Sequence, residues 1–344
     1  MTASKEQELL ERDRKAEHIR LALQRRMQVD STWSEYAFEH VALPELDAAQ
    51  IDTSVTFLGK QLRAPLLISC MTGGTDEAAR INQNLAIAAE RCGVAFGVGS
   101  QRKALEDSEQ ARTFEVREAL PTMPLIGNLG AVQLNYGCGV EACEAAVEMI
   151  GADALALHLN PLQEAIQPEG QSDFSDLLPK IKEVCERLSV PVIVKEVGCG
   201  LSGEVGQKLA DVGVKILDSA GLGGTSWARI EASRAGDLDT GELFADWGIH
   251  TPESILQLSA IPGVSVIGSG GVRNGLDCAK ALALGADLVG AAYPFLAAAV
   301  ESPEKVADRI DRTVEELRIC MFCTGTRTIR GLREATLRRK ALET

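Results

Sequence analysis

Six short apolar runs end in residues able to bind anions or hold protons. They close on Met71-Thr72-Gly73-Gly74, Gly99-Ser100-Gln101-Arg102-Lys103, Gly127-Asn128-Leu129-Gly130, His158 through Gln163-Glu164, Lys195-Glu196 and Asp218-Ser219. A lysine or aspartate set against an apolar run needs a partner, so convergence of these ends on one rim reads as a site rather than as unrelated buried ion pairs. Taken singly each residue says less. His158 reads equally as a satisfied core histidine, Lys195-Glu196 as an alternating pair with one member facing inward, and Glu164 as a surface carboxylate, although Mg²⁺ often takes one carboxylate together with substrate phosphates and water. Later in the chain, Gly268-Ser269-Gly270-Gly271 follows Val264-Ser265-Val266-Ile267, and Asp287 to Ala291-Ala292 follows a helical pattern closing at Gly285. Such a turn is an ordinary tight turn or a phosphate cradle, in which backbone N–H groups approach an anion because no side chain intervenes. Gly221 to Thr225 is a lid hinge or a second set of N–H and hydroxyl groups for a phosphate or a ring edge. Cys320 and Cys323 form a C-x-x-C without a second pair or a nearby histidine, in a helical pattern, and read as buried thiols. There is no serine nucleophile elbow and no H-x-x-E-H helix.

The elements that must carry these ends repeat. Apolar runs start near Pro65, Val94, Pro124, Asp153, Val190, Val214, Val264 and Asp287, and a helical pattern ending on glycine precedes several of them, at Gly93, Gly151, Gly213 and Gly285. Eight strand-helix units predict an α/β fold, a single (β/α)₈ TIM barrel, in which the loops after the seventh and eighth strands form a phosphate site. Two long intervals, Leu159 to Leu178 and Ala220 to His250, both follow strands and so fall on the catalytic face. Thr251-Pro252-Glu253 predicts a helix with Thr251 as its N-cap. Residues Glu6 to Met27 predict a helix outside the barrel, whose cluster Arg14-Lys15-Ala16-Glu17-His18 reads by default as a solvated face, and residues 30–62 predict strands or loops closing the barrel floor. The expected division is 1–62, an N-terminal helical and floor segment, and 63–344, the barrel with its C-terminal helices.

Over 344 residues the formal charge is −14, which excludes nucleic acid and anionic membrane as broad partners and requires any anionic ligand to be held locally. Nine scattered cysteines argue against a disulfide framework. With no apolar run near about 20 residues and a charged N-terminus, a cytoplasmic protein is expected.

The motifs RKAEH, MTGG, GSQR, IGNLGA, HLNPLQE, VKEVG, GLGGTSW, IGSGG and GAAYP, in this order from Arg14 to Arg333, resemble those of the type 2 isopentenyl-diphosphate isomerases, barrel enzymes of the FMN-binding type. The resemblance implies FMN held by Met71, Thr72, Gly73, Ser100, Asn128, Lys195, Ser219, Thr225, Ser269, Gly270, Gly271, Ala291 and Ala292. It implies a small diphosphate substrate held by Arg14, Lys15, Ser100, Gln101, Arg102, His158 and Gln163, with Mg²⁺ on Glu164 and with His158, Gln163 and Lys195 as the catalytic residues. It further implies conversion of isopentenyl to dimethylallyl diphosphate by proton addition and removal on reduced FMN, NADPH serving only to reduce the flavin, in a homo-oligomer. The chain departs from the pattern before Arg14 and at Gln171-Ser172, where an acidic pair is expected. Rival readings are an FMN-dependent 2-hydroxy-acid oxidase, which wants a histidine base with an arginine on late loops, an IMP dehydrogenase-like enzyme, which wants a cysteine after strand six, and a non-catalytic flavin-binding barrel.

Overall fold

A computed structural model describes residues 14–340. Eight parallel strands close a barrel: β1 (Leu66–Ile68), β2 (Ala95–Gly97), β3 (Leu125–Gly130), β4 (Ala154–His158), β5 (Val192–Lys195), β6 (Ile216–Asp218), β7 (Ser265–Ser269) and β8 (Leu288–Ala291). Neighbours in sequence are neighbours in the ring, and β8 returns to β1 through Val289↔Leu66 and Ala291↔Ile68. Every predicted start lies within two residues of the observed strand. The glycine rule explains two helix ends directly, since Gly93 and Gly151 close their helices at φ 68° and 60°, left-handed values that a Cβ disfavours.

Alternation along the strands divides the core. Leu155 and Leu157 of β4 point out into the layer shared with the helices, whereas Ala154 and Ala156 point into the barrel with Leu67, Ile126, Ile193 and Ile267. The bottom is plugged by a hairpin, Val55–Phe57 paired with Lys60–Leu62, whose Phe57 and Leu62 join that interior cluster. This is the expected floor. Outside, the helix Pro303–Cys323 lies against Asp76–Cys92 and Gly275–Ala283. Cys320 and Cys323, at its end, are half-buried and free, and burial pushes the Cys320 thiol up to about 11. Among the described residues no helix is long and apolar enough to cross a membrane.

The two long intervals carry helices above the barrel mouth, Pro161–Ile166 after β4 and Trp227–Ala235 with Leu238–Leu243 after β6. Residues 14–22 are helical, and the chain after them is laced to the β6 loop: Ser226 N–H donates to Met27 O at 2.8 Å and Val29 N–H to Gly224 O at 2.7 Å. One local expectation shifts by a residue. His250 is the N-cap of the helix Thr251–Ser259, and the Thr251 hydroxyl instead donates to Gly270 O at 2.9 Å, tying that helix to the glycine turn after β7.

Candidate active site

A cavity of about 290 Å³ opens at the C-terminal mouth of the barrel, where parallel strands deliver their last residues to one rim. Its lining includes Met71, Thr72 and Gly73 after β1, Ser100 after β2, Asn128 of β3, His158 of β4, Gln163, Lys195 of β5, Thr225, Ser269 to Gly271, and Ala291-Ala292. Lys15 of the N-terminal helix also faces it. The N-terminal cluster is therefore part of this mouth and not a solvated face. Arg14, Gln101, Arg102, Glu164 and Ser219 are not among the lining residues.

Arg102 Nη1 donates to Gln133 Oε1 at 3.4 Å and Gln171 Oε1 at 3.3 Å, and Ser219, Gln101 and Glu164 are likewise engaged by the protein. Ser219 is fully buried; its hydroxyl donates to Ser269 O at 2.8 Å and accepts from Ser269 N–H at 2.9 Å, so it fastens β6 to β7 beneath the glycine turn. Gln101 is likewise fully buried, donating to Ala146 O at 2.8 Å and accepting from Asn128 N–H at 2.9 Å. Both support residues that line the cavity. Glu164 accepts from Asn160 Nδ2 at 3.0 Å, from Gln167 Nε2 at 2.5 Å and from Gln171 N–H at 2.7 Å.

The glycine turn is tight for a reason other than ligand approach. A Cβ on Gly270, whose φ is 115°, would strike the Gly221 carbonyl and the Thr251 hydroxyl, and one on Gly271 would strike the Gly223 carbonyl. Both glycines are needed so that the loops after β6 and β7 can touch, which forms the cradle wall before any ligand arrives. An FMN group fits this end. The Ser69 hydroxyl is buried without a protein partner and lines the cavity, Arg273 stands beside the turn, and Lys195 and Asn128 offer polar groups deeper in.

At the other end lie cations for which the described residues form no salt bridge. Lys15 Nζ is buried with no hydrogen-bond partner, 5.6 Å over the Phe114 ring, and burial followed by repulsion from Arg14 and Arg102 lowers it to about 8. Burial and then Arg102 lower Arg14 as well, whose Nε is also unpartnered. Desolvated like charges stay together only where an anion completes them. His158, with Nδ1 2.8 Å from Asn128 Oδ1, is lowered to about 3 by burial, Lys195 and Arg102, so its ring is neutral near pH 7. Beside Glu164 the Asn160 Oδ1 atom is buried and unpartnered, an oxygen that a cation would satisfy. Among the described residues no group of three or more His, Cys, Asp or Glu could hold a metal, so one carboxylate there needs ligand oxygens to complete a Mg²⁺ site.

Glu231 was not visible in the sequence as a site residue. It is fully buried on the helix Trp227–Ala235; its carboxylate accepts from Gln163 Nε2 at 2.7 Å and Arg234 Nη1 at 2.6 Å and pairs with His18 Nε2 at 3.0 Å. Burial opposes its charge, but the hydrogen bonds from His18, Gln163 and Arg234 overcome that and hold it at about 2. In the sequence Glu231 looks like half of an i,i+3 pair with Arg234 on a helix, and its other two partners, His18 and Gln163, come from distant segments. Ser69, Arg273 and Trp227 also face the cavity without having been singled out. His18 stood in the quoted RKAEH run, the one signal that could have pointed to it. No cysteine lies in the loop between β6 and β7, and His250 lies outside the cavity lining, which removes the features that two of the rival readings require.

A model of the FMN-dependent dehydrogenase family matches residues 164–339. The chain is 50% identical over 329 residues to an isopentenyl-diphosphate delta-isomerase of a Nostoc species, covering 94% of each chain. It is 52% identical over 320 residues to one of a Synechococcus species, covering 91% of this chain and 92% of the relative, and 48% identical over 336 residues to one of Rickettsia bellii, covering 96% and 98%. In fold it resembles a lactate oxidase of Pediococcus acidilactici, with a TM-score of 0.68 at 17% identity over 90% of this chain and 85% of that one. A flavocytochrome b2 gives a TM-score of 0.67 at 19% identity over 91% and 78%.

Proposed function

The chain belongs to the isopentenyl-diphosphate delta-isomerase family, on the FMN-dependent barrel, and from that premise we propose that it interconverts isopentenyl and dimethylallyl diphosphate with FMN resident, Mg²⁺ on the diphosphate and NADPH as the flavin's reductant. The observation that carries the reading is a pair of buried cationic nitrogens without a hydrogen-bond partner among the described residues, Lys15 Nζ facing the cavity and Arg14 Nε beside it, opposite a glycine-walled cradle. A ligand with an anionic head would complete the first, its short apolar tail reaching toward a flavin seated at the second.

The reaction moves a double bond within a five-carbon frame, so a proton is added at one carbon and removed at another, with positive charge developing at the tertiary carbon between. Reduced FMN, when bound, supplies an electron-rich ring that can exchange the proton and face that charge. The chain's own residues do the rest. Arg14, Lys15 and Arg102 bind the diphosphate, and Glu164 with the Asn160 amide oxygen holds Mg²⁺ against it. His158, neutral and braced by Asn128, gives the diphosphate a directional hydrogen bond instead of another charge. Gln163, tied to Glu231 and Asn160, presents one fixed amide to the hydrocarbon end. Glu231 stays ionised near neutral pH and orients Gln163 instead of donating a proton. Lys195 and Asn128 hold the polar edge of the flavin, while Ile19, Ala22 and Trp227 of the mouth exclude water.

The same proposal includes a homo-oligomer in the cytoplasm and residues 1–62 as a segment packed on a barrel of residues 63–344. Under anaerobic conditions with NADPH or dithionite, purified protein should isomerise isopentenyl diphosphate without continued consumption of reductant. Equal turnover with air-oxidised flavin, or one NADPH consumed per product, would refute the acid-base role.

A further inference from the structure

Asp218, the last residue of β6, is a buried carboxylate that is not among the residues lining the cavity. Alternation along β5 and β6 turns Ile193, Lys195, Ile216 and Asp218 into the barrel, and the register sets Lys195 beside Asp218 on neighbouring strands. The Asp218 Oδ1 atom accepts from the Ser269 hydroxyl at 2.5 Å and from Ala220 N–H at 3.2 Å, and among the described residues no hydrogen bond reaches Oδ2. Lys195 lines the cavity, and its Nζ donates to Glu196 O at 2.5 Å. The Glu196 carboxylate itself is taken up by the N–H groups of Val197 and Gly198 at 2.6 and 2.7 Å. Asp218 is therefore the carboxylate left to face the lysine.

Burial pushes the Asp218 carboxyl up, and Lys195 is the first influence that pulls it back, ahead of the hydrogen bonds from Ser269 and Ala220. Both charges also reach Cys70, whose thiol lines the cavity: burial raises it, Lys195 lowers it and Asp218 raises it again. Lysine and aspartate thus sit together under one end of the cavity, where little water screens them. A lysine alone at the polar edge of a flavin favours the reduced, more electron-rich ring, and a carboxylate beside it cancels part of that preference. We propose that Asp218 acts on the flavin as the partner of Lys195, its carboxylate offsetting the lysine's charge so that the pair, rather than the lysine alone, sets how strongly the protein prefers reduced over oxidised FMN. The inference rests on reading Lys195 as a flavin contact, and it adds a residue outside the cavity lining that tunes the flavin.

The test titrates FMN-loaded protein anaerobically with dithionite beside a reference dye, and the midpoint of bound against free FMN gives the preference for the reduced form. Asp218→Asn, equal in size and still able to accept from Ser269 and Ala220, should raise that preference about tenfold, which is about 30 mV for a two-electron couple. Lys195→Met, which leaves the aspartate without its lysine, should lower it about tenfold, and the double variant should return to within about threefold of the wild type. A merely structural role weakens both flavin forms alike and leaves the midpoint unmoved, and a protonated, neutral Asp218 makes asparagine silent; either result overturns the inference. Should Asp218→Asn shed its flavin or fail to fold, the double variant is compared with Lys195→Met, and a midpoint that does not rise between them overturns it equally. A wild type that takes up no FMN overturns the flavin reading itself, whereas a loaded wild type beside variants with its midpoint overturns the inference alone.

Discussion

Two residues carry the sharpest expectations about ligand binding. Glu164 has both carboxylate oxygens occupied by amide donors, so without substrate it is a weak cation site. Glu164→Gln keeps the shape and removes the charge; Mg²⁺ affinity in the presence of substrate should fall, with partial rescue at high Mg²⁺ and unchanged FMN content. A wild-type rate with wild-type Mg²⁺ dependence would return Glu164 to the scaffold. Lys15 gives a prediction in pH. Burial and neighbouring cations lower it from 10.5 to about 8, so in the free protein it loses its proton as pH rises through about 8, and a cation leaves the diphosphate seat. Affinity for pyrophosphate should therefore decline above that pH. Lys15→Met should bind more weakly near pH 7 and show no such decline, a comparison that inhibition constants across the range would decide.

At the scale of elements, the glycine turn after β7 is a contact between loops as much as a seat for a ligand. A side chain at Gly270 is excluded by the Gly221 carbonyl and the Thr251 hydroxyl, both protein atoms, and by a φ of 115°. Gly270→Val should thus abolish FMN retention and also destabilise the flavin-free protein, by about 2–4 kcal/mol. Thermal unfolding of both apo proteins measures this. An unchanged apo midpoint with lost flavin would mean that the glycine serves ligand approach alone. The helix Trp227–Ala235 of the β6 insertion plays a comparable part, since its Glu231 ties to His18 on the N-terminal helix and to Gln163 on the β4 insertion. Three segments distant in sequence thereby share one ionised group, and this sets how the mouth is roofed.

For the whole molecule, chemistry and closure are at opposite ends of the barrel. The hairpin carrying Phe57 plugs the floor, and the cavity opens at the strand C-termini. Phe57→Ala should lower stability by about 3–5 kcal/mol through the void it leaves, with KM for isopentenyl diphosphate and FMN content unchanged in the folded fraction. A denaturant titration beside steady-state kinetics tests this separation; a raised KM would show that floor and mouth are coupled.

How much of this was legible in advance divides by the range of the interactions involved. Hydrophobic runs, glycine stops and helix stripes are local, and eight of them in series leave few closed arrangements, so the sequence by itself determined the barrel and the rim to which Lys195, His158, Asn128 and Ser269 must be delivered. It also placed the floor and the two insertions on their correct sides. What it could not determine is which polar atoms remain free once the chain has closed. Gln101 and Ser219 sit at strand ends like their neighbours, yet their hydrogen bonds are taken by Ala146, Asn128 and Ser269, partners supplied by other strands and helices. The same holds for Glu231, whose partner Gln163 is 68 residues away, and for Lys15, which looked like part of a solvated charge run until tertiary packing buried it against Phe114. Desolvation and long-range pairing decide whether a polar residue binds a ligand or braces the scaffold, and both exist only in the folded chain.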